Sequence, residues 1–130
     1  MNFPTNLKYS DSDEWVLVDG SVATIGITDY AQSQLSDIVY VEFKVDPGDD
    51  VKKDSIVITL DSAKATADVN LPVSGKVSQV HTELPDMMER INSDPYGDGW
   101  MLKIQLSNPG ELTRLMDAAA YETYCQKRSH

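Results

Sequence analysis

Apolar and polar residues alternate along much of the first two-thirds of the chain, a pattern typical of half-buried β-strands. The clearest alternation places Val39, Val41 and Phe43 on one inward-pointing face. Other predicted strands cover residues 15–18, 22–27, 55–60, 65–71, 76–80 and 100–106. Turn-forming pairs such as Asp19-Gly20 separate these segments. The pattern therefore predicts a mostly β protein built from antiparallel hairpins.

Two segments carry helical spacing instead. Thr28 can cap a short helix after the first hairpin, with Ala31 and Leu35 on one face. Near the end of the chain, apolar residues fall at helical spacing, and Lys127 stands where the helix dipole favours a cation. We therefore predict a short helix after the first hairpin and a C-terminal helical segment over about residues 109–128.

A turn that leads into an apolar strand occurs twice, over residues 48–58 and 97–104. Two related halves packed face to face would form a small β-sandwich or flattened barrel of two antiparallel sheets. The chain has 130 residues, which is long enough for one domain with a proper core. We expect a single domain over residues 1–130.

The charge balance narrows the classes of partner. The chain has 11 Lys and Arg against 21 Asp and Glu, a net charge of −10. Nucleic acids and anionic membrane surfaces both require a basic footprint, so neither is expected as a partner. No segment approaches the roughly 20 apolar residues of a membrane span, and the N-terminus has no apolar secretory signal. We expect a soluble, intracellular protein that works as a monomer.

Several kinds of site are not predicted. His81 and His130 are too isolated to form a metal site, and no Cys–His spacing supports zinc. Ser62 stands near Lys64, but no device for stabilising an oxyanion accompanies this pair. Cys125 cannot form an internal disulfide and is predicted to be a partly exposed thiol near the end of the last helix.

The segment that carries candidate chemistry is the short polar connection around Lys64, between two predicted strands. A hairpin tip projects its side chain away from the sheet, and Ala63 and Ala65 leave room for an approaching enzyme. Such an amine is a good acyl acceptor, because amide formation removes its charge and lengthens the arm. An isolated surface lysine is usually only a solvated charge. The strand–turn–strand context, with Asp61 and Asp68 close by, distinguishes this one.

Seven segments carry a resemblance to a known family. They are residues 8–10, 13–16, 22–32, 61–65, 72–75, 92–100 and 118–121. The most specific are the loop Asn-Ser-Asp-Pro-Tyr-Gly at residues 92–97 and the segment Gly-Ile-Thr-Asp at residues 26–29. Over about residues 7–121, the chain resembles the H proteins of the glycine cleavage system, which are lipoyl carriers.

The resemblance implies a non-catalytic carrier with a flattened β-barrel sandwich of the lipoyl/biotinyl type. Lys64 would carry lipoic acid in amide linkage, attached by a lipoate ligase or a lipoyl/octanoyl transferase. The arm would take an aminomethyl group from a pyridoxal-phosphate glycine decarboxylase to a tetrahydrofolate-dependent aminomethyltransferase. It would then pass reducing equivalents to dihydrolipoamide dehydrogenase, which uses FAD and NAD. This role in glycine catabolism and one-carbon metabolism is cytoplasmic in bacteria and belongs to the mitochondrial matrix in a mature eukaryotic protein.

The resemblance also implies contacts for the loaded arm. Glu14 matches an acidic residue that faces the arm, where its carboxylate would pair with the aminomethyl ammonium. The other reading of Glu14 is a surface acid. Ser12 and Asp68 lie in similar positions and are further candidate contacts, although Asp68 could simply keep the hairpin soluble. Trp15 and Trp100 are predicted to be core residues rather than arm contacts.

The sequence departs from the family at four positions. The family usually has Glu at the position of Asp61, a bulkier residue at Ala63, and often His at Tyr30 and Gln34. These changes leave open an H-like carrier that relays lipoate to 2-oxoacid dehydrogenases or has another redox role. A biotin carrier usually has Met beside the modified lysine, which the flanking alanines argue against. An enzyme that uses Lys64 as a Schiff base would need a desolvated amine rather than one on a hairpin tip.

Overall fold

A computed structural model describes residues 1–128, so His130 lies outside the described residues. Nine β-strands and three α-helices are present within this range. They are β1 (Lys8–Tyr9), β2 (Glu14–Asp19), β3 (Val22–Ile27), α1 (Asp29–Leu35), β4 (Ile38–Phe43), β5 (Asp50–Val51), β6 (Ile56–Ser62), β7 (Thr66–Asn70), β8 (Gly75–Val80), α2 (Glu89–Ser93), β9 (Leu102–Leu106) and α3 (Ala118–Arg128). Two short 3₁₀ helices cover Leu84–Asp86 and Pro109–Arg114.

The strands form two antiparallel sheets, as the sequence predicts. The larger sheet has the strand order β1-β2-β3-β9-β8-β5, and the smaller has the order β4-β6-β7. Val16 and Ile25 of the larger sheet share one buried cluster with Ile58 and Leu60 of the smaller sheet. The two repeated turn–strand segments lead into β6 and β9, which lie in different sheets. The fold is therefore the flattened sandwich expected from the pattern.

Local signals fixed the first hairpin and the first helix. Asp19 pairs with Val22 across a two-residue turn, in which Gly20 adopts a φ of +64°. This left-handed conformation favours glycine. Thr28 caps α1, because its Oγ1 accepts a hydrogen bond from the backbone N–H of Ala31 at 3.1 Å. Both features confirm the prediction.

A second, aromatic cluster lies beneath α3. The rings of Tyr9 and Tyr121 stack with centroids 4.7 Å apart. Trp15 is fully buried, and its Nε1 donates a hydrogen bond to the carbonyl of Pro95 at 2.9 Å. A Cβ atom at Gly26 would lie 2.8 Å from that indole nitrogen, so the strand beside the ring must carry glycine. The prediction that Trp15 belongs to the core is confirmed.

The C-terminal segment predicted as one helix is divided, and this corrects the expected range of 109–128. The 3₁₀ helix Pro109–Arg114 is followed by an extended stretch in which Met116 exchanges backbone hydrogen bonds with Tyr9 at 2.8 Å in both directions. Only then does α3 begin. A continuous α-helix would use the Met116 backbone groups internally and could not join the sheet edge.

Two predicted exposures are also wrong. Val39 was expected in the core but is 54% exposed, because a β-bulge at the start of β4 breaks the alternation. Cys125 was expected to be partly exposed, but it is buried where α3 packs against the aromatic cluster. Within residues 1–128, no helix is long and apolar enough to cross a membrane.

Candidate functional site

Lys64 stands in the tight connection of the β6–β7 hairpin. β6 ends at Ser62, β7 begins at Thr66, and the exposed residues Ala63, Lys64 and Ala65 join them. The Ser62 hydroxyl accepts hydrogen bonds from the backbone N–H groups of Lys64 at 3.2 Å and Ala65 at 2.9 Å. It also donates to the carbonyl of Ala65 at 2.9 Å. Ser62 therefore shapes the turn that presents the amine, which explains its place beside Lys64.

The loop is also tied to its neighbours. The backbone N–H of Ala63 donates to the carbonyl of Asp37 at 2.9 Å, which links the loop to the residue just before β4. The Thr66 hydroxyl donates to the carboxylate of Asp61 at 2.9 Å across the base of the hairpin. The amine of Lys64 thus projects from a braced turn between two small side chains.

Replacing Ser62 with alanine is expected to loosen this turn. The variant loses three hydrogen bonds at an exposed site where water replaces part of them, so we expect about 1 kcal/mol of destabilisation. Hydrogen exchange measured by NMR is expected to quicken at the amides of Lys64 and Ala65. Ser78→Ala, which removes an exposed hydroxyl from the other sheet, should leave both amides unchanged. Unchanged exchange in Ser62→Ala would show that the hydroxyl does not brace the loop.

A cavity of about 150 Å³ lies between the β6–β7 hairpin, α1 and the turn before β2. Its lining includes Ser12, Glu14 and Asp68, so the structure brings the three candidate arm contacts together. Leu60 and Ala67 supply apolar wall. Ala67 follows Lys64 by three residues and is the second residue of β7. The amine and the cavity are therefore neighbours along one hairpin.

Glu14 is the most unusual residue of the cavity. It is only 1% exposed, so its reading as a surface acid is wrong. One carboxylate oxygen accepts hydrogen bonds from the hydroxyls of Ser10 and Ser12, each at 2.6 Å, and the other accepts from the backbone N–H of Asn70 at 3.4 Å. Burial raises the pKa of Glu14 to about 7, although these hydrogen bonds favour the charged form and oppose the shift. Nearby Asp13 raises the pKa further.

The other two candidate contacts differ from Glu14. Ser12 is exposed to solvent, and its hydroxyl donates a hydrogen bond to the carboxylate of Glu14. Asp68 is exposed at the rim of the cavity, where its carboxylate accepts a bond from the hydroxyl of Thr59 at 3.4 Å. The arrangement can therefore receive a cationic group: one buried acid poised near neutral pH lies inside, and a second carboxylate lies at the entrance.

The residues where the chain departs from the family occupy distinct places. Gln34 lines the cavity from α1. Tyr30 is buried beneath the guanidinium of Arg128, whose central carbon lies 4.5 Å from the ring centroid.

Trp100 is half-buried, and its ring stacks on that of His81 with centroids 4.2 Å apart. Trp100 does not line the cavity beside Glu14.

The residues that hold the turn before β2 are not predicted from the sequence. Asp13 has a φ of +76°, and its carboxylate accepts hydrogen bonds from the Tyr121 hydroxyl at 2.8 Å and from the Arg128 guanidinium. The Tyr124 hydroxyl donates to the carbonyl of Asp11 at 2.8 Å. Residues 121, 124 and 128 recur at helical spacing and so share one face of α3. That spacing was the available signal, but nothing local connects it to a turn more than a hundred residues away.

Replacing Arg128 with glutamine is expected to weaken this clamp. The variant removes the cation that neutralises partly buried Asp13, so we expect a loss of about 1–2 kcal/mol in the free energy of unfolding. The pKa of Glu14 should rise, because the unbalanced charge of Asp13 disfavours a second carboxylate nearby. Denaturant unfolding and an NMR titration of the Glu14 carboxyl carbon measure both effects. Lys127→Gln is the matched control on the same helix. A Glu14 pKa that stays the same in Arg128→Gln and Lys127→Gln would contradict the clamp.

A second groove on the surface contains none of the predicted site residues. This groove of about 870 Å³ lies beside β5 and β8 and includes Lys53, Ser74 and Glu111. Two of its polar residues serve the fold, since the carboxylate of Glu111 accepts hydrogen bonds from both the backbone N–H and the hydroxyl of Ser74. Among residues 1–128, no three His, Cys, Asp or Glu side chains are grouped so that they could hold a metal ion.

Comparison with known proteins shows which family this chain resembles in sequence and in structure. The family model for the glycine cleavage H-protein matches residues 7–128. A glycine cleavage system H protein from Symbiobacterium thermophilum is 45% identical over 126 residues, covering 97% of this chain and 98% of that protein. The mitochondrial H protein 2 of Arabidopsis thaliana is 48% identical over 122 residues, covering 94% and 78%. The crystal structure of an H protein from Mycobacterium marinum has a TM-score of 0.82 at 29% identity, covering 92% of this chain and 96% of that one.

The matched range includes both parts of the candidate site, the loop of Lys64 and the cavity of Glu14. Sequence identity and three-dimensional similarity agree over nearly the whole chain. The resemblance found in the sequence motifs is therefore confirmed. The chain belongs to the glycine cleavage H-protein family.

Proposed function

We propose that this protein is the lipoyl carrier of a glycine cleavage system, with lipoic acid joined to Lys64. The observation that carries the proposal is the exposed amine on a braced turn, at the tip of the hairpin that also lines a cavity holding a buried acid. The protein is a non-catalytic subunit that presents and shelters a group on which other enzymes act. It works as one domain over residues 1–130 and as a monomer.

The residues around Lys64 fit such a group. Its amine is exposed, and Ala63 and Ala65 leave space for an acylating enzyme, either a lipoate ligase or a lipoyl/octanoyl transferase. The amide forms between Nζ and the carbonyl carbon of an activated acyl donor, whose leaving group departs as the amine loses its proton. Once attached, lipoate supplies sulfur atoms that exchange electrons and a one-carbon unit with partner enzymes.

Glu14 gives the cavity its proposed purpose. A carboxylate with a pKa of about 7 can carry a negative charge near neutral pH and pair with the ammonium of an aminomethyl cargo. Ser12 holds that carboxylate in place, and Asp68 offers a second negative charge at the entrance. The apolar walls of Leu60 and Ala67 exclude water from a cargo that is labile in water.

The proposed partners act in turn. A pyridoxal-phosphate glycine decarboxylase loads the carrier, a tetrahydrofolate-dependent aminomethyltransferase unloads it, and dihydrolipoamide dehydrogenase reoxidises it. Tethering the reactive group raises its effective concentration at each active site. The cell compartment follows from the source: the cytoplasm in a bacterium, or the mitochondrial matrix for a mature eukaryotic protein.

The test is chemical. The chain is incubated with lipoate, ATP and a lipoate ligase, and its intact mass is measured before the modified peptide is sequenced. We expect one lipoyl group, on Lys64. The modified protein should then support glycine–bicarbonate exchange by the decarboxylase, and the unmodified protein should support little. A lipoyl group on another lysine, or equal exchange by both forms, would reject the proposal.

A further inference from the structure

Two large apolar side chains are exposed side by side at the start of β4. Ile38 pairs with Ser62 and Tyr40 pairs with Asp61, so Val39 is the extra residue of a β-bulge. Val39 is 54% exposed and Tyr40 is 50% exposed. The alternating pattern would have turned Val39 into the core, where its apolar side chain would be removed from water. The fold gives up the burial of Val39 at this bulge. β-Bulges often redirect side chains beside functional sites.

The exposed pair adjoins the loop of Lys64. Tyr40 lies across from Asp61 on β6, three residues before Lys64. The carbonyl of Asp37 accepts a hydrogen bond from the backbone N–H of Ala63 at 2.9 Å. A protein large enough to enclose the amine of Lys64 would therefore also cover the start of β4.

Carboxylates surround the apolar pair. Asp37 and Glu42 are exposed on either side of it along the chain, and Asp61 is half-buried on the neighbouring strand. Glu42 forms an ion pair with Lys44 at 3.1 Å, so Asp37 and Asp61 supply the net negative charge of this rim. An apolar centre with a charged rim is the usual anatomy of a protein interface. Its complement is an apolar recess bordered by basic side chains, and long-range attraction would steer such a partner to this face.

The length of the arm indicates which partner this is. An enzyme that acylates Lys64 must bring its activated acyl group to Nζ itself, so it approaches the hairpin as closely as a bare lysine side chain requires. Enzymes that use the loaded group act at the far end of a longer arm. We propose that Val39 and Tyr40 form the docking surface for the acylating enzyme, which presents an apolar recess with a basic rim. This inference rests on the proposed function.

The test compares lipoylation kinetics of the unmodified chain with those of the double variant Val39→Thr/Tyr40→Thr, using a lipoate ligase. Threonine retains β-propensity, so the edge strand should persist. We expect the KM for the carrier to rise about tenfold or more, with kcat unchanged, because an aromatic anchor is lost while Lys64 stays in place. Ile56→Thr is the matched control: it removes another exposed apolar residue, 47% exposed, at the opposite end of β6.

The charged rim gives an independent measurement. The kcat/KM of the wild-type chain should fall as salt is raised, and Asp37→Asn/Glu42→Gln should flatten that dependence. Hydrogen exchange of the wild-type chain should show protection over residues 38–41 when the ligase is present, which tests the surface without any substitution. A wild-type chain that takes up no lipoate would reject the proposed function itself.

Other outcomes reject only the docking surface. One is a KM within about twofold of wild type in the double variant, together with no protection of β4. Another is normal lipoylation of the double variant with loss of glycine–bicarbonate exchange, which would assign the surface to the decarboxylase instead. An equal rise in KM in Ile56→Thr would show a general effect of changing the small sheet.

Discussion

The variant Lys64→Arg is expected to take up no lipoate while keeping the stability of the wild-type chain. Arginine retains the positive charge and much of the length, but its guanidinium stays protonated and cannot serve as the acyl acceptor. The residue is exposed, and its side chain is not needed for the hydrogen bonds that brace the loop, which use its backbone. Substitutions at such positions usually change stability by less than about 0.5 kcal/mol. Intact mass after treatment with ligase, ATP and lipoate measures the first effect, and thermal unfolding measures the second.

The control for Lys64→Arg is Lys76→Arg, which changes another exposed lysine on β8. It should accept one lipoyl group as readily as the wild-type chain. Without lipoate, Lys64→Arg should also fail to support glycine–bicarbonate exchange beyond the unmodified wild-type level. Finding a lipoyl group on Lys64→Arg would remove this lysine from its proposed role, whatever the exchange assay showed.

The variant Glu14→Gln is expected to be more stable than the wild-type chain at pH 8 and less stable at pH 4. The pKa of Glu14 is about 7 in the folded protein against an ordinary value of 4.5. The folded state therefore holds the proton more tightly than the unfolded chain. The stability that Glu14 contributes is complete below about pH 4.5 and is lost as the pH rises to about 7. The raised pKa corresponds to a loss of about 3 kcal/mol across this range.

Glutamine removes that dependence, because it has no proton to lose. It also replaces the oxygen that accepts from the backbone N–H of Asn70 with a donor, at a cost of about 1 kcal/mol. The free energy of unfolding of Glu14→Gln should thus lack the decline from pH 4.5 to 7 and exceed the wild-type value by about 1–2 kcal/mol at pH 8. Denaturant titrations at several pH values measure this. Loaded Glu14→Gln should also release its aminomethyl cargo to water faster, since the paired charge is gone.

Ser12→Ala is the companion variant for Glu14→Gln. It removes a hydrogen bond that favours the charged carboxylate, so the pKa of Glu14 should rise and the decline in stability should extend to higher pH. A wild-type chain whose stability does not fall between pH 4.5 and 7, or a Glu14→Gln variant that falls equally, would show that the carboxylate is not held in a desolvating site.

The expected effects of these variants raise the question of why a small β-sandwich keeps a buried acid. Ionising Glu14 costs stability at neutral pH, and an apolar or amide side chain would avoid that cost. Natural proteins tolerate such losses at functional sites. The same holds for Val39 and Tyr40, whose exposure reduces the buried apolar area. Both departures from the most stable arrangement lie close to the hairpin of Lys64.

Features that depend on near neighbours can be predicted from the sequence alone. Alternating residues gave most strands, a turn dipeptide placed Gly20, and the Thr28 hydroxyl capped α1. Lys64 could be singled out because small residues and a serine surround it within the same hairpin. Glu14 was identified through the family motif, which does not depend on knowing its surroundings. Such signals survive without coordinates because their physical causes act over a few residues.

The environments that distant residues create become visible only in the folded chain. Glu14 is buried, and its pKa is raised, because residues distant in sequence pack around it. One of them is Asn70, 56 positions away. Asp13 is held by Arg128, 115 positions away, on a helix that begins later than its spacing suggested. Val39 turned outward because the pairing of β4 with β6 contains an extra residue. Burial, pairing register and electrostatic balance are sums over everything that packs nearby, and the order of residues along the chain does not state which segments those are.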